Sequence, residues 1–265
     1  MSINSSNVLV HCNYRGNNMS GLADNLPVIE VFFAETKELS LNYSEFRHCF
    51  NKADSLKAAK FHSDSDRETY LYCHTLLRLF LSDKLKMNPD EISFGSGKFN
   101  KPFLNGDRLY FNISHTRDSF AFAVTEHNSV GIDLEKSDRK IDLKSISKRF
   151  FSRDENEFIS EYPDKTIERF FLLWTRKEAL LKALGTGIIT NPGGLEVFRE
   201  KNVMNMKMIS NLTGESLASD YFIYSREISD YFLSVAVVQE SNILIYKSFE
   251  DSGKNFLKSL LRSVS

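Results

Sequence analysis

Hydrophobic and polar residues alternate through Val130-Gly131-Ile132-Asp133-Leu134-Glu135-Lys136, a period of two that predicts a half-buried strand. Other segments repeat one of two patterns. Val28–Ala34 (VIEVFFA) reads as a strand, and Ser65–Leu85 carries the apolar spacing of a long helix. Short strands are expected at Ile92–Phe94 and Leu109–Ile113, and a stronger one at Phe120–Thr125 (FAFAVT). The order then restarts. VGIDLEK takes the place of VIEVFFA, Glu168–Gly185 forms a second long apolar helix, and Tyr231–Gln239 repeats the closing role of FAFAVT. A strand–helix–strands unit used twice predicts an α+β fold, a pseudo-twofold pair of similar half-domains. Each is a small, mainly antiparallel sheet packed on a long helix. The halves span 28–127 and 128–248, with the junction near Glu126–Ser129. Residues 1–27, rich in Asn and Ser, read as an irregular extension. In the tail, 249–265, Phe256, Leu257, Leu260 and Leu261 keep helical spacing and suit a short helix docked on the core.

Composition narrows the function classes without choosing one. A chain of 265 residues with 42% hydrophobic content can bury a full core. A net charge of -1, with neither half markedly basic, disfavours a nucleic-acid groove but leaves room for a local anion pocket. Three scattered cysteines, Cys12, Cys49 and Cys73, suit a reducing compartment. No apolar run reaches the roughly 20 residues that span a bilayer, and the start of the chain does not read as a signal peptide. The expectation is a cytoplasmic monomer that engages neither membrane nor nucleic acid.

The candidate chemistry starts from the acids of VGIDLEK. Residues two apart on a strand share a face, so Asp133 and Glu135 lie within roughly 7 Å of each other. They repel unless they are solvated or surround something positive. On the second long helix Phe171, Trp174, Glu178 and Lys182 form one line. Glu178 and Lys182 alone make an ordinary helical ion pair. Together with Asp133 and Glu135, Glu178 completes a hard oxygen site suited to Mg²⁺, and Lys182 stands one turn on, placed to meet a phosphate. Anion-binding pieces are also present. The loop Gly97–Gly106 carries Lys98 and Lys101, with Pro102 forcing Lys101 towards an extended backbone. FNISHT gathers donors at Ser114, His115 and Thr116, and Lys57, Lys60 and Arg67 stand where the first long helix begins. Each piece alone is equally a solvated surface or a simple turn.

Taken in order, DRETYLYCHTLLR, GKFNKPFL, FNISHT, VGIDLEK, SKRFFSRDE and WTRKEALLKALGTG resemble a 4′-phosphopantetheinyl transferase of the surfactin-synthetase-activating type, over residues 28 to 240. GIDLE followed some forty residues later by WxxKExxxK is the specific combination. The resemblance implies that Asp133, Glu135 and Glu178 hold Mg²⁺, with Mn²⁺ able to replace it, and that Lys182 meets the pyrophosphate of coenzyme A. It implies 3′-phosphate contacts from His115 and Arg67, assisted by Lys57 or Lys60, and places Lys101 beside the adenine and its phosphates. Ser114 belongs to the same binding set. Trp174 and Lys177 belong to the signature, Trp174 as packing. One departure is Thr69, where many relatives carry a second basic residue.

The reaction so implied is attack by a serine of an apo acyl or peptidyl carrier protein on the β-phosphate of coenzyme A, releasing adenosine 3′,5′-bisphosphate. Glu178, or a water relayed by Glu178 or Glu135, takes the serine proton. The segment Asp138–Phe151 is expected to be a helix whose Lys140, Lys144 and Lys148 either receive an acidic carrier or simply face solvent. Two other readings use the same residues. One is an Mg²⁺-dependent coenzyme A or nucleotide pyrophosphatase, with water as nucleophile. The other is a non-catalytic module that grips coenzyme A or a carrier.

Overall fold

The computed structural model describes residues 9–10, 25–39, 49, 52–106, 109–138, 142–187, 195–197, 201–203, 220–248, 254–255, 257–258 and 260. Within them the chain is α+β. One sheet has five strands in the order β1 (Leu9–Val10), β11 (Asn242–Lys247), β2 (Val28–Glu35), β6 (Ser119–Thr125), β5 (Tyr110–Thr116). The other has four, in the order β7 (Val130–Lys136), β10 (Tyr231–Val237), β9 (Asp220–Ile228), β8 (Lys201–Val203). A two-stranded ribbon, β3 (Phe94–Ser96) with β4 (Pro102–Leu104), flanks the first sheet.

Strand alternation sorts the apolar residues into three core layers. Phe32 and Ala34 of β2, with Phe120 and Phe122 of β6, face α2 (Asp64–Leu85). The intervening residues, Ile29, Val31, Phe33, Ala121 and Ala123, face the other sheet, where Val130, Ile132, Leu134, Leu233, Val235 and Val237 meet them. The far side of that sheet, through Phe232 and Ala236, packs on α5 (Thr166–Leu184) and α4 (Arg153–Ser160). The layers therefore run helix, sheet, sheet, helix, each apolar face covered by another. β7 is buried on both faces from Val130 to Leu134, not half-exposed as its alternation predicts. The reason is that its polar face lies under α5 instead of under water.

The helix ends follow their caps. Ser63 accepts a hydrogen bond from the Asp66 amide to open α2, and Lys86 closes it at φ 55°. Asp142 caps α3 (Leu143–Phe150), which therefore begins later than Asp138. Ser152 and Glu155 form a reciprocal capping box on α4. α5 stops at Gly185, whose φ of 65° suits glycine.

Two features depart from the simple repeat. β11, late in the chain, inserts in parallel between β1 and β2 of the first sheet, and Leu9–Val10, inside the stretch expected to be irregular, pairs with it. In the tail, Leu260 is buried in the α2 core and Leu257 packs beside it, while Phe256 and Leu261 lie outside the described residues. No helix among the described residues is long and apolar enough to cross a membrane.

Candidate functional site: an acidic cleft between the two sheets

The sheets meet edge to edge at β5 and β7 without a backbone ladder. Asn112 Oδ1 accepts the Ile132 amide at 2.9 Å, and Ser114 Oγ accepts the Leu134 amide at 3.2 Å. These side chains satisfy amides that an edge strand would otherwise bury unpaired. FNISHT is strand throughout, because His115 and Thr116 pair with Phe120 and Ser119; the turn comes after it, at Arg117–Asp118.

Asp133 projects from β7 towards α5. Its Oδ1 receives Lys182 Nζ at 2.7 Å and the Ser114 hydroxyl at 3.0 Å. Lys182 Nζ also donates to Ser114 Oγ and to the Ile132 carbonyl, each at 3.0 Å. Asp133 Oδ2 is buried and has no hydrogen-bond partner. Glu135, on the same face two residues on, accepts from the Trp174 indole at 3.3 Å. Glu178 lies one helical turn before Lys182. Burial pushes its carboxyl up to about 7, and the negative charges of Asp133 and Glu135 add to the rise while Lys182 opposes it.

Three carboxylates thus act on one another with a single ammonium among them. Among the described residues, no three His, Cys, Asp or Glu side chains already stand in a metal-holding arrangement. The donor set nevertheless fits a hard divalent cation. A buried carboxylate oxygen without a partner and a neighbouring carboxyl raised by like charge are both relieved by added positive charge. Glu178 and Glu135 each border a cavity. One, of about 270 Å³, is bounded by Phe99, Pro102, Ile113, Glu178, Leu181 and Lys182 among others. The other, of about 320 Å³, is bounded by His115, Thr116, Arg117, Glu135, Lys136 and Asp138.

The structure gathers some of the expected anion-binding residues and turns others away. His115 is exposed on its strand, and partial desolvation, followed by the charges of Lys182 and Lys57, lowers its imidazole pKa. Those three groups therefore share one neighbourhood. Lys57 also stands over the Tyr70 ring at 5.3 Å. Arg67 is engaged locally, donating to the Phe61 carbonyl at 3.3 Å and pairing with Asp64 at 2.9 Å, and Lys60 is exposed near the end of α1 (Lys52–Ala58). Ser114 has its hydrogen-bonding capacity filled by Asp133, Leu134 and Lys182. Lys101 donates to Ser129, Val130 and Ala183 and also borders the cavity lined by Glu178 and Lys182. Thr69 is fully buried and donates to the Arg117 carbonyl at 2.7 Å, so it ties α2 to the β5–β6 turn.

Sequence reading missed three positioning groups. Trp174 packs, with its ring parallel to Phe170, but its indole N–H also orients Glu135. Asn112 joins the sheets. Lys177 is buried and pairs with the buried Glu155 at 2.7 Å; it also donates to the Phe150 carbonyl at the end of α3. A lysine on an otherwise apolar helix face was the available signal, since such a charge needs a partner.

Residues 129–236 match the 4′-phosphopantetheinyl transferase superfamily, and residues 38–127 match the 4′-phosphopantetheinyl transferase N-terminal family. The chain belongs to the 4′-phosphopantetheinyl transferase superfamily. It is 37% identical over 138 residues to 4′-phosphopantetheinyl transferase HetI of Nostoc sp., covering 50% of this chain and 58% of that one. It is 34% identical over 152 residues to 4′-phosphopantetheinyl transferase gsp of Aneurinibacillus migulanus, covering 54% and 62%. To 4′-phosphopantetheinyl transferase Sfp of Bacillus subtilis it is 29% identical over 134 residues, covering 50% and 58%. The matches thus span about three fifths of these relatives' length.

Proposed function

We propose that this protein transfers the 4′-phosphopantetheine group of coenzyme A to a serine of an apo acyl or peptidyl carrier protein. The observation that carries the reading is the convergence of Asp133, Glu178 and Lys182 on one cleft, with Glu135 held beside them by Trp174. Asp133, Glu135 and Glu178 would hold Mg²⁺, or Mn²⁺ in its place. When bound, the ion supplies charge neutralisation at the diphosphate. Lys182, with its ammonium already in the cleft, meets the diphosphate on the side where negative charge grows. The serine oxygen bonds to the β-phosphorus as the bond from that phosphorus to the bridging oxygen breaks. Adenosine 3′,5′-bisphosphate leaves with the bridging oxygen, and the serine proton passes to Glu178, directly or through one water. Lys57 supplies positive charge, and His115 a ring N–H donor, for the 3′-phosphate. A carrier docks on α3, where Lys144 and Lys148 are exposed and Arg149 adjoins them; Lys140 lies outside the described residues. A reducing cytoplasmic setting suits the two described cysteines, Cys49 and Cys73, both free and buried.

The test is mass spectrometry of an apo carrier incubated with the protein, coenzyme A and Mg²⁺. The expected result is the phosphopantetheine mass gain on the serine. Release of adenosine bisphosphate with no carrier present would identify a pyrophosphatase instead. Binding of coenzyme A with neither outcome would identify a non-catalytic module.

A further inference from the structure

The resemblance places Lys101 against the ligand, but the side chain makes a different set of contacts. Lys101 leaves its loop in an extended backbone conformation, φ -64° and ψ 120°, immediately before Pro102. Its ammonium donates to Ser129 Oγ at 2.8 Å, and to the Val130 and Ala183 carbonyls at 3.2 Å each. All three of its protons are thereby used. Ser129 Oγ in turn donates to the Ala183 carbonyl at 2.7 Å, closing a ring of bonds.

We propose that Lys101 is a positioning residue: it staples the loop of the first half to the last turn of α5 and the first residue of β7, and so fixes how far Glu178 and Lys182 stand from Asp133. The catalytic consequence rests on the transfer reading, whereas the staple itself is a matter of geometry. Ala183 belongs to the final turn of α5, whose carbonyls lack partners within the helix and carry its negative pole, so a cation there is doubly favoured. Val130 precedes Gly131, where strand and helix touch backbone to backbone. Lys101 therefore holds the strand–helix contact at Ala183, the residue next to Lys182, which pairs with Asp133. Burial also holds the Lys101 ammonium down to about 8, although Lys101 borders the cavity lined by Glu178 and Lys182.

Three variants test this: Lys101→Met, which keeps the length and removes the donors, Lys101→Arg, which restores a cationic donor, and the milder Ser129→Ala. Hydrogen exchange of the peptides spanning 129–132 and 179–187 reports the staple directly, and calorimetry reports coenzyme A binding. Lys101→Met is expected to speed exchange in both peptides. It should leave the coenzyme A Kd unchanged and lower kcat about ten- to hundredfold through misplacement of the reacting groups. Lys101→Arg should recover part of kcat, and Ser129→Ala should show a smaller loss of the same kind. A Kd weakened about tenfold or more with exchange unchanged would make Lys101 a ligand contact and overturn the proposal. Unchanged exchange and unchanged kcat would overturn it too. Should the wild type transfer nothing, the transfer reading fails, while the exchange result still decides the staple.

Discussion

Gly131→Ala probes the contact on which the cleft depends. A methyl group at residue 131 would lie 2.0 Å from the Ala179 carbonyl oxygen, 2.4 Å from the Ala183 amide nitrogen and 3.0 Å from the Ala183 Cα. All three are backbone atoms of α5, so no side chain can swing aside. Moving the nearest contact from 2.0 Å out to an ordinary 3.4 Å requires strand and helix to part by more than an ångström, or to distort locally. Overpacking of this kind costs about 1–3 kcal/mol. The effect on chemistry is larger in proportion, because Glu178 and Lys182 flank Ala179 and Ala183 on the same helical turn, and Asp133 is two residues from Gly131 on the strand. A displacement of about 1 Å at reacting groups lowers rate on the order of 10²-fold. Urea denaturation measures the first effect, and single-turnover transfer to an apo carrier measures the second. Gly106→Ala is the control: its φ of 84° strains any side chain, but nothing stands within 4 Å of the added carbon, and Gly106 itself lines neither of the two cavities beside the acids. It should lose stability and keep its rate. Wild-type transfer by a folded Gly131→Ala protein would refute the account of how helix and strand place the acids.

Three further outcomes are expected. Glu155→Gln leaves Lys177 as a buried ammonium without its carboxylate and should cost about 3–5 kcal/mol in urea unfolding; a loss below about 1 kcal/mol would show the pair to be dispensable. His74 is buried against Tyr70, and neither ring nitrogen has a hydrogen-bond partner. Asp54, 3.9 Å away, is already engaged by Arg78, so burial prevails and holds the imidazole down at about 3. Unfolded, His74 takes a proton near its ordinary 6.5, so the unfolded state binds more protons below that pH and stability falls as pH falls. Between pH 6.5 and 5 the wild type should lose about 1.1 kcal/mol per unit more than His74→Leu, and parallel profiles would contradict this. Charge reversal at Lys144 and Lys148 should raise the carrier KM and leave the coenzyme A KM alone; an unchanged carrier KM would remove α3 from the docking surface.

Local pattern made much of this legible. β7 occupies Val130–Lys136 as its alternation predicts, and α2 and α5 begin and end within two residues of their expected bounds. The facing of Asp133 and Glu135 towards one helix also follows from the period of a strand. Long-range pairing was beyond such reasoning. Nothing in Asn242–Lys247, a run buried on both faces from Asn242 to Tyr246, selects by itself a parallel place beside β2 over a place in the other sheet. The same limit applies to side chains that serve a distant partner. Lys101 and Ser114 look like phosphate ligands by residue type, but the first is spent on carbonyls 29 and 82 positions away, and the second on Asp133, Leu134 and Lys182. Trp174 was read as packing because its ring packs; only the placement of Glu135 across the cleft reveals the second role of its N–H.

The most direct measurement is binding of Mn²⁺ by electron paramagnetic resonance, with coenzyme A present, to the wild type and to Glu178→Gln and Asp133→Asn, each checked for folding. The account predicts one tightly held ion per wild-type chain and its loss, together with transfer, in both variants. An ion held equally well by either folded variant would contradict it.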